Sequence, residues 1–530
     1  MGHEQAFVDV KNLKVTFPRS ERPVLKEVSF EVEEGDFTLI TGPTGAGKTT
    51  LLLTLAGVIP SLIPAKVEGS VRLGNRDPVR EGLSSMAGFL GIVFQDPEAQ
   101  YVMPTVIEEA YFPAENLLLP RDEVARRAER ALALVGLSEY RAHKVDTLST
   151  GLKQRLALST ALVLDPEILL LDEPTAHIDM WTAREIYRVL GELKESGKTI
   201  LVVEHRIELA EGLADKVVYI ERDGRASVYS SVDEMIRIHG AERLVSEGIW
   251  VPYRYILNPR RGIQEDSPAA KQQEEPAVSV ENLTVRLGGV KVLDNVTLTV
   301  PRGRVAVILG PNGSGKTTLL KVLSGILRDF QGSVRVLGGS PRPDKVAFVA
   351  QVPEFQFTER TVIEELASSF KARGFRREEA LRKAREVLRA RGIEHLADRV
   401  VYELSQGEKR LISILEMDVL EREVYLLDEP TFGLDLRYSL LVISRVNELA
   451  EEGKTVVLVT HDSWALPMLR ATIYGLSRGR VVFSGSLSSL LRKRELWPEL
   501  HFAPPKLLSD QLKLPSSEKT GGAAEGISHG

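Results

Sequence analysis

Two hydrophobic rhythms run along this chain, and each occurs twice. The stretches AFVDVKNLKVTF (6–17) and AVSVENLTVRL (277–287) alternate apolar and polar positions, the period of half-buried strands. Further on, EILLLDEP (167–174), KTILVVEH (198–205), EVYLLDEP (423–430) and KTVVLVTH (454–461) hold short unbroken apolar runs. Such runs suit strands buried on both faces of a parallel sheet. Between the two kinds lie charge-rich stretches, RDEVARRAERALALVGL (121–137) and REEALRKAREVLRARGI (377–393), which read as helices. Their arginines and glutamates fall on more than one face. The interspersed acids favour a solvated helical subdomain over a nucleic-acid patch.

The rhythms repeat because the chain is an internal repeat. Asn12-Leu13 returns as Asn282-Leu283, 270 positions on; Lys48 returns as Lys316 at 268, and Gln95 as Gln351 at 256. The shrinking offset places extra residues in the first half, in the stretch from SLIPAKVEGS to REGLSSMAGFL. The pattern predicts a first α/β domain over 6–245, a linker over 246–276, a second domain over 277–500 and a tail over 501–530. The linker rests on NPRRGIQEDSPAAKQQEEP (258–276), which is polar, proline-containing and aperiodic. The tail reads as disordered by composition.

Composition narrows the function. At 530 residues the chain suits two large domains or several small ones, and the repeat decides for two. A net charge of −6 with both signs mixed gives no reason to expect nucleic acid as a partner. The absence of cysteine excludes disulfides, thiolate zinc sites and iron–sulfur clusters. No apolar run approaches the ~20 residues that span a bilayer, and the N-terminus lacks a signal-peptide layout, so at a membrane another chain must supply the span.

The chemistry concentrates in two glycine-rich loops. GPTGAGKTT contributes Gly42, Pro43, Thr44, Gly45, Ala46, Gly47, Lys48, Thr49 and Thr50; GPNGSGKTT contributes Gly310, Pro311, Asn312, Gly313, Ser314, Gly315, Lys316, Thr317 and Thr318. Each lies between an apolar strand-like run and a helical run, the context of a phosphate-binding loop. The glycines are expected to clear space so that backbone N–H groups and a helix N-terminus reach a triphosphate. Lys48 and Lys316 supply positive charge, and Thr49 and Thr317 a hydroxyl for Mg2+. Asp172 and Asp428 end buried runs, where a carboxylate can hold that ion. Glu173 and Glu429 follow, placed to polarise an attacking water. An Asp-Glu pair after a strand could instead cap a helix, but a phosphate loop in the same half argues against it.

Taken together, each half resembles an ABC-type ATPase domain. The order of motifs is that family's: phosphate loop, glutamine (Gln95; Gln351), signature (LSTGLKQR, 148–155; LSQGEKR, 404–410), acidic strand end, D-loop aspartate (Asp179; Asp435) and switch histidine (His205; His461). The resemblance implies two tandem domains, each a mostly parallel sheet core with an antiparallel β subdomain and a helical subdomain. It implies ATP as ligand with Mg2+, held by Thr49, Gln95, Asp172, Thr317, Gln351 and Asp428. It implies catalytic roles for Glu173, Glu429, His205, His461, Gln95 and Gln351. It further implies head-to-tail pairing, Lys48 facing Ser405 and Gly407, and Lys316 facing Ser149 and Gly151. Both signatures depart from the family's LSGGQ, at Thr150 and Leu152 and at Gln406 and Glu408. Phe17 falls at the family's adenine-stacking position, where the second half has Leu287.

The segment FQDPEAQYVMPTVIEEAYFPAENLLLP (94–120), with PTAHID and VEHR, resembles the ATPases of energy-coupling-factor importers of vitamins and transition-metal ions. That implies integral membrane subunits as partners, a peripheral place on the cytoplasmic face, and an apolar docking surface including Tyr101, Met103, Phe112, Phe355 and Phe357. The same aromatics would serve equally as core. A fused sugar-importer ATPase is the alternative within transport, and a soluble paired-ABC ribosome factor the alternative outside it.

Overall fold

The computed structural model describes residues 6–176, 178–256 and 276–505. Among the described residues the first half carries nine strands: β1 (Val8–Thr16), β2 (Leu25–Val32), β3 (Phe37–Thr41), β4 (Lys66–Leu73), β5 (Leu90–Val93), β6 (Ile168–Asp172), β7 (Thr199–Val203), β8 (Lys216–Ile220) and β9 (Ala226–Tyr229). The second repeats them: β10 (Val278–Leu287), β11 (Val290–Val300), β12 (Val305–Leu309), β13 (Gln331–Val336), β14 (Val346–Val349), β15 (Val424–Asp428), β16 (Thr455–Val459), β17 (Ala471–Ser477) and β18 (Arg480–Gly485).

In each half the alternating strands build a three-stranded antiparallel sheet, β2-β1-β4 and β11-β10-β13. The unbroken apolar runs build a six-stranded sheet, β5-β6-β7-β3-β8-β9 and β14-β15-β16-β12-β17-β18, parallel except for its last strand. Strands β3, β6, β7, β12, β15 and β16 are buried at every position, as their uninterrupted apolar patterns require. Even an irregularity repeats: Asn12 and Asn282 take φ of 49° and 52° where the register of β1 and β10 slips. Asparagine tolerates that left-handed backbone better than most residues. The core of each half fills the space between its two sheets. A separate apolar cluster, including Val362, Leu366, Leu388 and Ile412, holds the helical part of the second half.

The described residues form two compact units that cut across the halves. One takes the chain up to Pro252 with Val352–Val419 and Thr431–Ser444. The other takes Tyr253–Gln351, Leu420–Pro430 and the chain from Arg445 on. Within the expected linker, 246–276, Ile249 and Val251 are buried and a short helical turn covers Tyr253–Tyr255. At the start of the expected tail, 501–530, Phe502 and Ala503 are buried too. Proline and polar neighbours give both stretches the composition of connectors, while these apolar side chains are buried. The rest of both stretches, 257–275 and 506–530, lies outside the described residues.

Candidate nucleotide site

Each glycine-rich loop joins an inner strand, β3 or β12, to a helix, Lys48–Leu55 or Lys316–Leu323. The loops turn tightly, Ala46 N–H donating to the Pro43 carbonyl and Ser314 N–H to that of Pro311, both at 3.2 Å. Their glycines do more than clear space for a ligand. A Cβ on Gly42 would stand 2.2 Å from the Ile220 carbonyl oxygen, and one on Gly310 2.0 Å from that of Leu476, so these two let the loop lie against the neighbouring strand. Gly47 and Gly315 adopt φ of 103° and 102° at the helix N-cap, a backbone that side chains rarely take. Gly45 and Gly313 open onto free space. Neither helix has a side-chain N-cap, so its first N–H groups face the loop uncapped.

Lys48 is buried and curls back to donate to the carbonyls of Gly42 and Pro43, at 2.9 and 3.0 Å; Lys316 does the same to Gly310 and Pro311, at 2.8 and 2.9 Å. Burial pulls the Lys48 pKa down to about 8, against the upward pull of Glu173, Asp172 and Glu204.

Asp172 and Asp428 end β6 and β15, and burial raises the pKa of both while hydrogen bonds from Thr49 and Thr317 oppose it. In each, Oδ1 is buried and finds no hydrogen-bond partner among the described residues. An orphaned carboxylate oxygen beside a threonine hydroxyl is a hard-oxygen donor set, which fits Mg2+. Glu173 and Glu429 follow in a left-handed backbone, φ 46° in each, fixed by N–H bonds to the Val203 and Val459 carbonyls at 2.9 Å. His205 and His461 meet them. His205 Nε2 lies 3.0 Å from Glu173 Oε1, and His461 Nδ1 lies 2.9 Å from Glu429 Oε2. Gln95 Nε2 donates to the other Glu173 oxygen at 3.1 Å. Gln351 is exposed.

The family of ABC transporters matches over residues 25–176 and 293–432. The chain belongs to the ABC transporter family. This ABC protein is therefore an ATPase that binds ATP with Mg2+. It is 34% identical to a putative ABC transporter ATP-binding protein of Methanosarcina acetivorans, over 86% of each chain. It is 30% identical to the putative HMP/thiamine import ATP-binding protein YkoD of Bacillus subtilis, over 92% of this chain and 93% of that one. Among solved structures, an archaeal ribosome recycling factor, aABCE1, in complex with the ribosomal stalk protein aP1, matches with a TM-score of 0.62 at 24% identity, over 91% of each chain. At that identity the likeness is one of fold.

The ABC signatures sit at helix N-termini. Ser149 caps the helix Thr150–Leu162 by accepting from Leu152 N–H at 3.4 Å. Ser405 precedes the helix Gln406–Val419 in a reciprocal box: its Oγ accepts from Glu408 N–H at 3.3 Å, and its own N–H donates to Glu408 Oε2 at 2.8 Å. The Glu408 departure from LSGGQ thus completes a capping box, which Leu152 cannot. The signature glycines also make room for a neighbouring helix, since a Cβ on Gly407 would stand 2.4 Å from the Tyr438 ring and one on Gly151 2.9 Å from Thr182. Asp179 and Asp435 cap those helices through Thr182 and Tyr438 N–H, both at 2.9 Å. Phe17, half-buried, packs on the first core, while Leu287 ends β10 at a two-residue Gly288-Gly289 hairpin and is 43% exposed.

The aromatics divide. Phe355 is 85% exposed, but Phe357 is only 6% exposed and packs edge-on against Tyr402, so it belongs to the core. Tyr101 is half-buried, its hydroxyl bonded to the Lys153 carbonyl. Sequence reasoning missed Glu204. It is buried, accepts from Thr175 Oγ1 at 2.5 Å and from the N–H groups of His205 and Arg206 at 2.9 and 3.0 Å, and so pins the switch loop. Its counterpart in the repeat is Thr460, a change from hydroxyl to carboxylate that the alignment of the halves displays.

Proposed function

We propose that this ABC ATPase is the energising subunit of a membrane importer of the energy-coupling-factor type, docking on integral membrane subunits at the cytoplasmic face. The segment after each glutamine carries the reading, together with the resemblance to an HMP/thiamine import ATP-binding protein over nearly the full length. Exposed Phe355, next to that glutamine's turn, supports a docking surface there. No helix among the described residues is long and apolar enough to cross a membrane, so the span falls to partners. The ribosome-factor likeness is below 25% identity and adds nothing to the alternative beyond fold.

In this reading the halves close head to tail, each phosphate loop facing the other half's signature serine and glycine. The uncapped helix N-termini, with Lys48 and Lys316, receive the phosphates. Mg2+, held by Thr49 and Asp172 or Thr317 and Asp428, would neutralise charge on the β- and γ-phosphates. Glu173 or Glu429 takes a proton as water oxygen bonds to the γ-phosphorus and the bridging bond to the β-phosphate breaks, leaving ADP and phosphate. Burial works against ionisation of Glu429, but His461 and Lys316 outweigh it and hold its carboxyl below the usual range, which keeps it charged. The switch histidines orient these carboxylates. Glu173→Gln with Glu429→Gln should leave ATP binding intact and lower turnover roughly a hundredfold or more, the scale of a lost general base. Near-normal turnover in the double variant refutes the assignment.

A further inference from the structure

The chain that closes the first half does not run straight out of it. After the helix Ala241–Ser246 it returns to the loop that carries His205. Trp250 N–H donates to the His205 carbonyl at 3.0 Å, and Arg206 pairs with Trp250 as an isolated parallel bridge. The Arg206 guanidinium lies over the Trp250 ring, 5.7 Å from its centroid. Its Nη1 donates at 3.1 Å to the carbonyl of Ile178, the residue before Asp179. Two positions earlier, Gly248 packs so closely on Asp435 that a Cβ would stand 3.1 Å from its Oδ2. The stretch 248–252 therefore touches the switch loop through Trp250 and reaches both D-loops, Asp435 directly from Gly248 and the residue before Asp179 through Arg206.

The second half repeats the device at an offset of 252: Glu247, Trp250 and Pro252 recur as Glu499, Phe502 and Pro504. There Ser463 Oγ, two residues after His461, donates to the Ala503 carbonyl, and Phe502 is buried edge-on against Trp497. A similar sequence returning to the same loop in both halves points to a role beyond connection.

We propose that residues 248–252 are a positioning strap that holds the switch loop in register with the D-loops, so that hydrolysis depends on the strap while ATP binding does not. This rests on the reading of His205 as the residue that orients Glu173. The strap fixes a backbone carbonyl of the very residue whose ring lies 3.0 Å from Glu173, and a small displacement of an orienting group costs rate steeply. Trp250 is a positioning residue acting through His205.

The test uses the full chain, with turnover measured under saturating ATP and ATP affinity measured with a chelator present. Trp250→Ala should lower kcat by about tenfold and change Kd by less than about twofold, and Trp250→Phe, which keeps a ring over Arg206, should restore most of the rate. In a His205→Ala background, Trp250→Ala should cost nothing further, because residues acting through one route are not additive. Independent losses in the double variant, equal loss of rate and affinity, or a phenylalanine as poor as alanine would each overturn the strap. If Trp250→Ala does not fold, Arg206→Ala is read by the same criteria. A His205→Ala chain with unchanged kcat instead removes the switch reading itself, which separates that failure from failure of the strap.

Discussion

Raising the pH should weaken ATP binding at the first phosphate loop, and the size of the effect follows from one buried lysine. Lys48 has its pKa lowered to about 8, chiefly by burial. The neutral form is therefore favoured in the folded, ligand-free site once the pH passes about 8, although an exposed lysine would stay charged to about 10.4. A bound triphosphate restores the charged form, since a phosphate beside an ammonium raises its pKa. Binding above pH 8 must then take up a proton, and affinity must fall as protons become scarce. For a pKa of 8 the charged fraction drops from about 0.76 at pH 7.5 to about 0.03 at pH 9.5, a loss of roughly twentyfold in affinity, or about 2 kcal/mol. The ATP phosphates are fully ionised over this window and add no slope of their own. The assay is titration calorimetry on the Lys316→Ala variant, which isolates the Lys48 site, with ATP and a chelator, in two buffers of different ionisation enthalpy. Proton uptake approaching one per ATP at pH 9.5 is expected, and Lys48→Met should bind weakly with no pH slope. A flat affinity from pH 7.5 to 9.5, or a slope that survives in Lys48→Met, refutes the argument.

The exposed and buried aromatics should part company: Phe355→Asp should release the protein from membranes bearing its partners with ATPase activity retained, checked by co-sedimentation. Phe357→Ala should instead cost about 3 to 5 kcal/mol of stability, as for other buried phenylalanines, read as a lowered Tm. Leu287→Phe should tighten ATP at the Lys316 loop up to about tenfold by adding an aromatic face at the exposed end of the hairpin, measured on the Lys48→Ala variant; no change, or a ligand-free Lys316 site already tighter than Lys48, would contradict it.

Much of the fold was legible because its signals are periodic and repeated. The runs ILLLD and VYLLD could be assigned to buried parallel strands from their unbroken apolar character, and they became β6 and β15. The grouping of motif residues was legible for the same reason, since strand ends and helix starts place Lys48, Asp172, Glu173 and His205 near one another. What sequence could not supply was the other side of each contact. Gly42 and Gly310 were assigned to the ligand, yet the atoms nearest their missing side chains are carbonyls of Ile220 and Leu476, residues far along the chain. Phe355 and Phe357 are two positions apart with opposite exposure, because a short helical turn, Pro353–Phe355, intervenes and breaks simple alternation. In 246–252 and 501–505 proline and polar neighbours hide the burial of Ile249, Val251, Phe502 and Ala503 from any local reading, because the contacts that order these stretches, such as Trp250 N–H to the His205 carbonyl and Ser463 Oγ to the Ala503 carbonyl, are made with residues some forty positions away.

The two halves share their motifs but not the environment of the glutamate after the acidic strand. Glu173 and His205 are each 19% exposed at the side chain, and Glu173 is shared between His205 and Gln95. Glu429 and His461 are each 5% exposed, and Glu429 also meets the His461 N–H at 3.2 Å and Lys316 Nζ at 3.9 Å. Electrostatic interactions strengthen as water is excluded, so the second carboxylate is held more firmly by its cations than the first. A firmly held base is less free to reposition, and its lowered pKa makes it a weaker proton acceptor, while the more exposed Glu173 can exchange partners at smaller cost. The sequence already distinguishes the halves at Leu287, where the first half has Phe17, and at Leu152 in the first signature. The packing adds a second inequality at the reacting carboxylates themselves. If both act, affinity and rate need not be ranked alike: single-turnover kinetics on Glu173→Gln and Glu429→Gln separately would show the greater residual rate where Glu173 is kept, and the reverse order would mean that burial, not mobility, sets the rate at these sites.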